Sequence, residues 1–378
     1  MKGNRAKPFN GTGGILFWDY SKGMERQVRD FIDDQYLTSN TRTSCENVGG
    51  RASLRLRLDD DLARDLAPDW DTLDISAKMH LDSRNSGRDL KKEILLAMLA
   101  SPIATPFPNF DELESAIALR SCIVDAARRT SVAFDTEQAE RPEEYFEYHQ
   151  GSGFCLRPGK SLIDALLKAT QPDVSGTRYS FSCYRATEYI LLLAIATGLR
   201  QRNPHLLERL ESLWQRRAIM SNEFHSVFLR EFGSLDRPLP LRYFVPGDRL
   251  WFRNPDERSA DATGYEGSWV FYLGEGLFCN FWKMDRPYTL KQKCLEIYHW
   301  RHGAYTDDSG EMRMDEDAVD DRVAATLQDD EETARILALM TRPRDSRGVY
   351  RDGGCMDVSR EFPRWVCRET TDIRLPAS

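Results

Sequence analysis

The sequence predicts an α+β protein, and two stretches carry that prediction. Arg178–Arg200, RYSFSCYRATEYILLLAIATGLR, is apolar over most of a helix's circumference, from Tyr189, Ile190 and Leu191 to Leu199. A helix apolar nearly all round is a buried helix. Residues 243–282 hold short aromatic runs split by the turns PGD and GEG, the pattern of paired strands. Helical runs at 91–100, 111–129, 160–169 and 204–217 supply the rest of a mixed core.

Composition sets the class. The 378 residues suffice for two domains or one decorated domain, and 41% hydrophobic with 30% charged residues describes a soluble globular chain. A net charge of −8 argues against nucleic acid as a partner. No run of 18 apolar residues exists, so no membrane span is expected. The N-terminal MKGNRAKPFNGTGG lacks the apolar stretch of a secretory signal. The eight cysteines are scattered, with no CxxC and no zinc-finger spacing to histidine, so reduced thiols in a cytoplasmic protein are expected.

In chain order, GTGGILFW reads as a loop and a short strand. Ala52–Leu58, ASLRLRL, puts three leucines on one face and Arg55 and Arg57 on the other, as a half-buried strand does. The acidic 59–74 segment reads as a short helix and a solvated loop, without EF-hand spacing. Three prolines in SPIATPFPNF, 101–110, read as a linker. The expected division is therefore an N-terminal extension over 1–105, a core over 106–305 and a C-terminal extension over 306–378. Within the core, 143–148 is a surface segment. GSGFCLRPGKS, 151–161, is a turn and not a phosphate loop: Phe154 occupies the position that needs glycine, and Pro158 removes a backbone N–H. Tyr243–Val245 and Leu250–Phe252 read as strand pieces, and Ser268–Gly274 with Leu277–Trp282 as a hairpin. Trp251, Trp269, Trp282 and Trp300, half of the eight tryptophans, fall between 251 and 300, as sheet core or as an aromatic cleft wall. Residues 306–332 are strongly acidic and read as exposed helix and loop, and strand-like pieces follow at 348–351 and 362–366.

Cys183 stands where an extended segment gives way to the apolar helix, after the N-cap types Ser180 and Ser182. A lone cysteine among apolar residues is ordinarily a small core residue. A thiol in the first turn of a helix, however, meets the positive end of its dipole, which favours the nucleophilic thiolate.

Several stretches, in order, resemble the spore-coat-type bacterial protein-glutamine gamma-glutamyltransferases, thiol transglutaminases with a papain-like core. FSCYRATEYILLLA resembles the family's nucleophile segment. PGDRLWFRNPDE resembles its Gly-Asp, alternating aromatic and Asn-Pro stretch, and GSWVFYLGEG its following strand into Leu-Gly-Glu. ELESAIALRSCIVDAARR and RPGKSLIDAL also have counterparts. The resemblance spans roughly 110–300. It implies that Cys183 attacks a protein glutamine carboxamide, releases ammonia and passes the acyl group from a thioester to a lysine amine, without metal or organic cofactor. Glutamine-donor and lysine-acceptor proteins would be its partners. Trp251, Trp269, Trp282 and Asn280 are the candidate substrate-binding residues, Asn280 aligning with a family histidine.

Two family carboxylates are replaced. Ser182 stands in the acidic position before the cysteine, and Ser268 in that of the main glutamate. Glu266, two residues before Ser268, would share its strand face and is the candidate replacement base. His225, His299 and His302 are the other bases considered, and the last two lack a third ligand for a metal. A glutamine deamidase or cysteine hydrolase, and an inactive binding derivative of the fold, are the alternative readings.

Overall fold

The computed structural model describes residues 13–18, 20–133, 139–345 and 353–376, and mixes helices with sheets. The N-terminal region folds into four strands, β1 (Gly14–Trp18), β2 (Thr41–Val48), β3 (Arg51–Leu58) and β4 (Ala104–Phe107). Their order is β2-β3-β1-β4, antiparallel except for β1 beside β4. The segment expected as a linker thus supplies β4. Pro106 is tolerated because β4 is an edge strand, where a ladder N–H can be dispensed with. The leucines of β3 are buried as expected, but Arg55 is buried too, held by Glu46 and by the Gly13 carbonyl.

A small hairpin, β5 (Phe146–His149) with β6 (Gly153–Leu156), occupies the GSGF turn. The second sheet is antiparallel throughout, in the order β11-β10-β9-β8-β14-β7. It uses β7 (Leu229–Phe232), β8 (Arg249–Arg253), β9 (Gly267–Gly274), β10 (Leu277–Phe278) and β11 (Tyr288–Thr289). After a hairpin of β12 (Ala304–Thr306) and β13 (Met312–Met314), the chain returns to lay β14 (Arg360–Pro363) between β8 and β7. The C-terminal region therefore completes the central sheet, although the sequence had set 306–378 apart as an extension. One apolar core runs from Ile15 and Leu56 through Ile190 to Phe271, Phe278 and Met356, across both expected boundaries. Tyr243–Val245 is irregular and not a strand, and the expected piece at 348–351 lies outside the described residues. No helix among the described residues is long and apolar enough to cross a membrane.

The helix Cys183–Arg202 is buried on nearly every side, from Ala186 to Ala196 and at Leu199, as its composition predicts. It packs on the helices Phe110–Arg129 and Leu162–Thr170 and on β9. The PGDRLW motif explains how β8 is fixed. Gly247 has φ +89, and a Cβ there would lie 3.0 Å from the Arg120 Cα. Asp248 accepts from the Val245 N–H at 2.7 Å and pairs with Arg120 at 2.7 Å, both side chains buried. Removing one partner of a buried pair strands the other charge. Asp248→Ala is therefore expected to lower unfolding free energy by about 3–5 kcal/mol in chemical denaturation. Asn254, fully buried, donates to Ser259 and to the Tyr265 carbonyl, closing the loop that delivers the chain to β9.

Candidate active site

Cys183 opens its helix, and Ser182 is the N-cap, its hydroxyl accepting from the Arg185 N–H at 3.2 Å. Capping thus accounts for Ser182 in a position where the resemblance led us to look for an acid. The half-buried Cys183 lines a cleft of about 660 Å³ together with Ser268, Asn280 and Trp282. Four of the residues singled out from sequence therefore meet in one place.

Burial pushes the Cys183 thiol above its ordinary range. The backbone N–H of Trp269, the Lys293 ammonium, the Tyr184 N–H and the Arg249 guanidinium pull the other way without overcoming it. The expectation that the helix dipole alone would lower this pKa is thus reversed, because desolvation of a thiolate outweighs it. Alkylation of Cys183 by iodoacetamide is accordingly expected to be slow at pH 7 and to accelerate through pH 9, whereas the exposed Cys45 labels first. Peptide mapping at the two pH values checks this.

Glu266 is exposed, outside the cleft lining, with its carboxylate turned to the Gly264 N–H at 3.4 Å. β9 begins only at Gly267, so strand alternation does not carry Glu266 to the face of Ser268. The carboxylates that do line the cleft are Glu296, Glu316 and Asp320. Glu296 comes from the helix Leu290–Gly303 and accepts from Lys293 Nζ at 2.7 Å and from the Tyr288 hydroxyl at 3.1 Å. Lys293 is buried, its ammonium 4.3 Å from the centre of the Tyr288 ring. Burial and the neighbouring Glu296 keep the Tyr288 hydroxyl far above its usual pKa, so it stays a donor. Glu316 and Asp320 belong to the acidic C-terminal segment, which here forms a wall of the cleft and not only a solvated surface.

Asn280 acts through its loop. Its Oδ1 accepts from the Trp282 and Lys283 N–H groups, both at 3.1 Å, and its amide donates to the Arg286 carbonyl. That capture ends β10 at Phe278, short of the strand expected to Trp282, and turns Trp282 into the cleft. Trp251 and Trp269 stack on each other, centroids 6.0 Å apart, and their side chains are outside the cleft lining. The aromatic wall is built by Tyr265, Trp282, Tyr288 and Trp300. Gly267 lets the Trp251 indole pack close against β9: a Cβ there would fall 2.2 Å from the Trp251 Nε1.

The histidines lie elsewhere. His299 and His302 face each other through Nδ1 at 3.0 Å, and His299 Nε2 meets the Thr326 hydroxyl at 2.8 Å. Burial, then His302 and Arg322, push His299 down to about 4, so it is neutral at pH 7. His225 sits 3.5 Å from Glu361. None of the three lines the cleft. Among the described residues no cluster of three or more His, Cys, Asp or Glu is arranged to hold a metal.

Sequence reasoning missed Lys293, Glu296 and Tyr288. The signal was present: Thr289 and Gln292 form a capping box, which fixes a helix start and puts Lys293 and Glu296, three apart, on one side.

No curated protein matches the chain. The structure is similar to that of the transglutaminase from Geobacillus stearothermophilus without its C-terminal extension, at 21% identity over 57% of this chain and 98% of that one, with a TM-score of 0.40. The model of the family described as protein-glutamine gamma-glutamyltransferase matches residues 73–345, which take in the cysteine and the whole cleft lining. The chain belongs to the protein-glutamine gamma-glutamyltransferase family.

Proposed function

We propose that this protein is a thiol acyltransferase that joins protein glutamine side chains to lysine amines through a thioester on Cys183. One observation carries the reading. The sole thiol of the cleft lining stands at a helix N-terminus, under two backbone N–H groups, beside the Lys293–Glu296 pair. A helix bearing cysteine against an antiparallel sheet is also what a papain-like core requires, and β9 supports that reading by supplying the Trp269 N–H.

In the first half-reaction the Cys183 proton passes to Glu296, and the sulfur attacks the glutamine carboxamide carbon. The C–N bond then breaks, and ammonia leaves with the proton returned by Glu296. In the second, a lysine amine gives a proton to Glu296 as it attacks the thioester carbon, and the C–S bond breaks as the sulfur takes that proton back from Glu296, restoring the Cys183 thiol and the carboxylate. Lys293 keeps its charge throughout and steadies the thiolate. Glu296 takes the role sought at Ser268 and at Glu266. Ser268 remains a neutral lining group, and Trp282 helps the other aromatics hold water from the thioester.

Incubation with a glutamine-bearing protein and a fluorescent primary amine tests the proposal. Covalent amine incorporation with ammonia release is the expected result. Conversion of Gln to Glu without incorporation would make the protein a deamidase, and neither product would leave a binding derivative of the fold.

A further inference from the structure

A second cavity, of about 840 Å³, meets the same helical turn from another side. Cys183 lines the first cavity, while Ser182 and Arg185 line the second. Its walls include Phe154, Phe181, Tyr189 and Trp214, and within them lies Arg141. Arg141 is 7% exposed. Its guanidinium lies 3.4 Å from the centre of the Phe181 ring, 4.6 Å from that of Tyr189 and 5.0 Å from that of Phe154. Nη1 donates to the backbone carbonyls of Glu140 and Ser180, and among the described residues Nε has no partner. No carboxylate pairs with Arg141 among the described residues; burial lowers its pKa, the Tyr189 hydroxyl opposes that, and Arg185, of like sign, adds to it. Arg185 is in turn held by Glu188 at 2.7 Å.

An enclosed guanidinium without a counter-ion is costly, and stacking on rings offsets only part of that cost. Two guanidiniums facing one cavity are a fork for a carboxylate. The chain as a whole carries a net charge of −8, which would repel an acidic ligand, so a local cationic pocket must act at short range to hold one. The pocket's place decides what that ligand is. Ser182 and Cys183 are adjacent, about 3.8 Å between Cα atoms. An extended peptide advances about 3.3 Å per residue. A residue one to three positions from a glutamine held at Cys183 therefore lies within reach of the helical turn whose Ser182 and Arg185 line the second cavity. We infer that this cavity is a specificity subsite for the carboxylate of an acidic side chain flanking the reactive glutamine, bound by Arg141 and Arg185.

The inference rests on the acyltransferase reading, and its test is made on binding so that the two fail separately. Two fluorescent peptides are compared by anisotropy on Cys183→Ala protein. One carries Glu two residues from the reactive Gln, and the other carries Gln in place of that Glu. The acidic peptide is expected to bind at least tenfold more tightly at low salt, and the preference is expected to vanish in Arg141→Met and to return in part in Arg141→Lys. Far-UV circular dichroism and affinity for the neutral peptide control for folding. Equal binding of the two peptides, or none, overturns the subsite. Displacement of the acidic peptide by an equimolar free dicarboxylate such as glutarate also overturns it, by assigning the cavity to a free ligand. Preference without amine incorporation by the wild-type protein would retain the subsite and reject the transferase.

Discussion

Cys183→Ala protein is expected to lose amine incorporation by on the order of 10⁴-fold or more, because the covalent path itself disappears. Its unfolding free energy should change by no more than about 1 kcal/mol, since a half-buried sulfur at a helix start contributes little packing. The other thiols are poor substitutes. Cys279 is buried and its sulfur accepts from the Phe271 N–H at 3.1 Å. Burial pushes it to about 12, Cys367 likewise to about 12 and Cys122 to about 11. Cys294 and Cys355 lie 3.7 Å apart in the core, and the Cys355 thiol donates to the Met340 carbonyl at 3.2 Å. Cys45 is exposed but lies on β2, in the first sheet. Single-turnover measurement of ammonia release separates the outcomes. Retained release in Cys183→Ala would move the nucleophile out of the cleft and end the thioester proposal.

The parts of this arrangement that were legible in the sequence are those encoded locally. The Cys183 helix could be read because its apolar residues leave no polar face, and strands β8, β9 and β10 because aromatic runs, the PGD turn before β8 and the GEG turn between β9 and β10 mark them. What escaped depended on contacts distant in the chain. The strand-like piece expected at 362–366 overlaps β14, Arg360–Pro363, but its insertion between β7 and β8 rests on contacts distant in the chain. β4 was hidden by Pro106 and the prolines on either side of it, at 102 and 108; an edge strand tolerates Pro106. Within the site, Cys183, Ser268 and Asn280 were found because they sit inside recognisable motifs. Lys293 and Glu296 were not, because an i,i+3 charged pair on a helix is ordinarily a solvated one. Burial of Lys293 against Tyr288 and Trp300, which tertiary packing alone decides, turns that pair into a feature of the cleft.

Glu296→Gln is expected to reduce kcat for amine transfer by about 10²–10³-fold, the usual range for a general acid–base group, with a smaller effect on substrate KM. The amide keeps the shape and can still meet Tyr288 and Lys293, so folding should survive. Lys293→Met should act differently. Lys293 is one of the groups holding the Cys183 thiol down against burial. Without it the folded-state pKa rises further. The sign is then fixed: activity that depends on thiolate increases with pH up to the thiol pKa, and the variant's rising limb moves to higher pH. The wild-type protein should already work better at pH 9 than at pH 7, because its thiol lies above the ordinary range. In Lys293→Met the loss should be largest near pH 7 and shrink toward pH 10, whereas Glu296→Gln should lose activity across the whole range. Lys293→Arg, which restores charge, should recover the wild-type limb more than the rate. Profiles of kcat/KM against pH for the four proteins make the comparison. Coincident limbs in wild type and Lys293→Met would show that the ammonium does not act on the thiol. Full activity in Glu296→Gln would move the base to Glu316 or Asp320, the other carboxylates of the cleft.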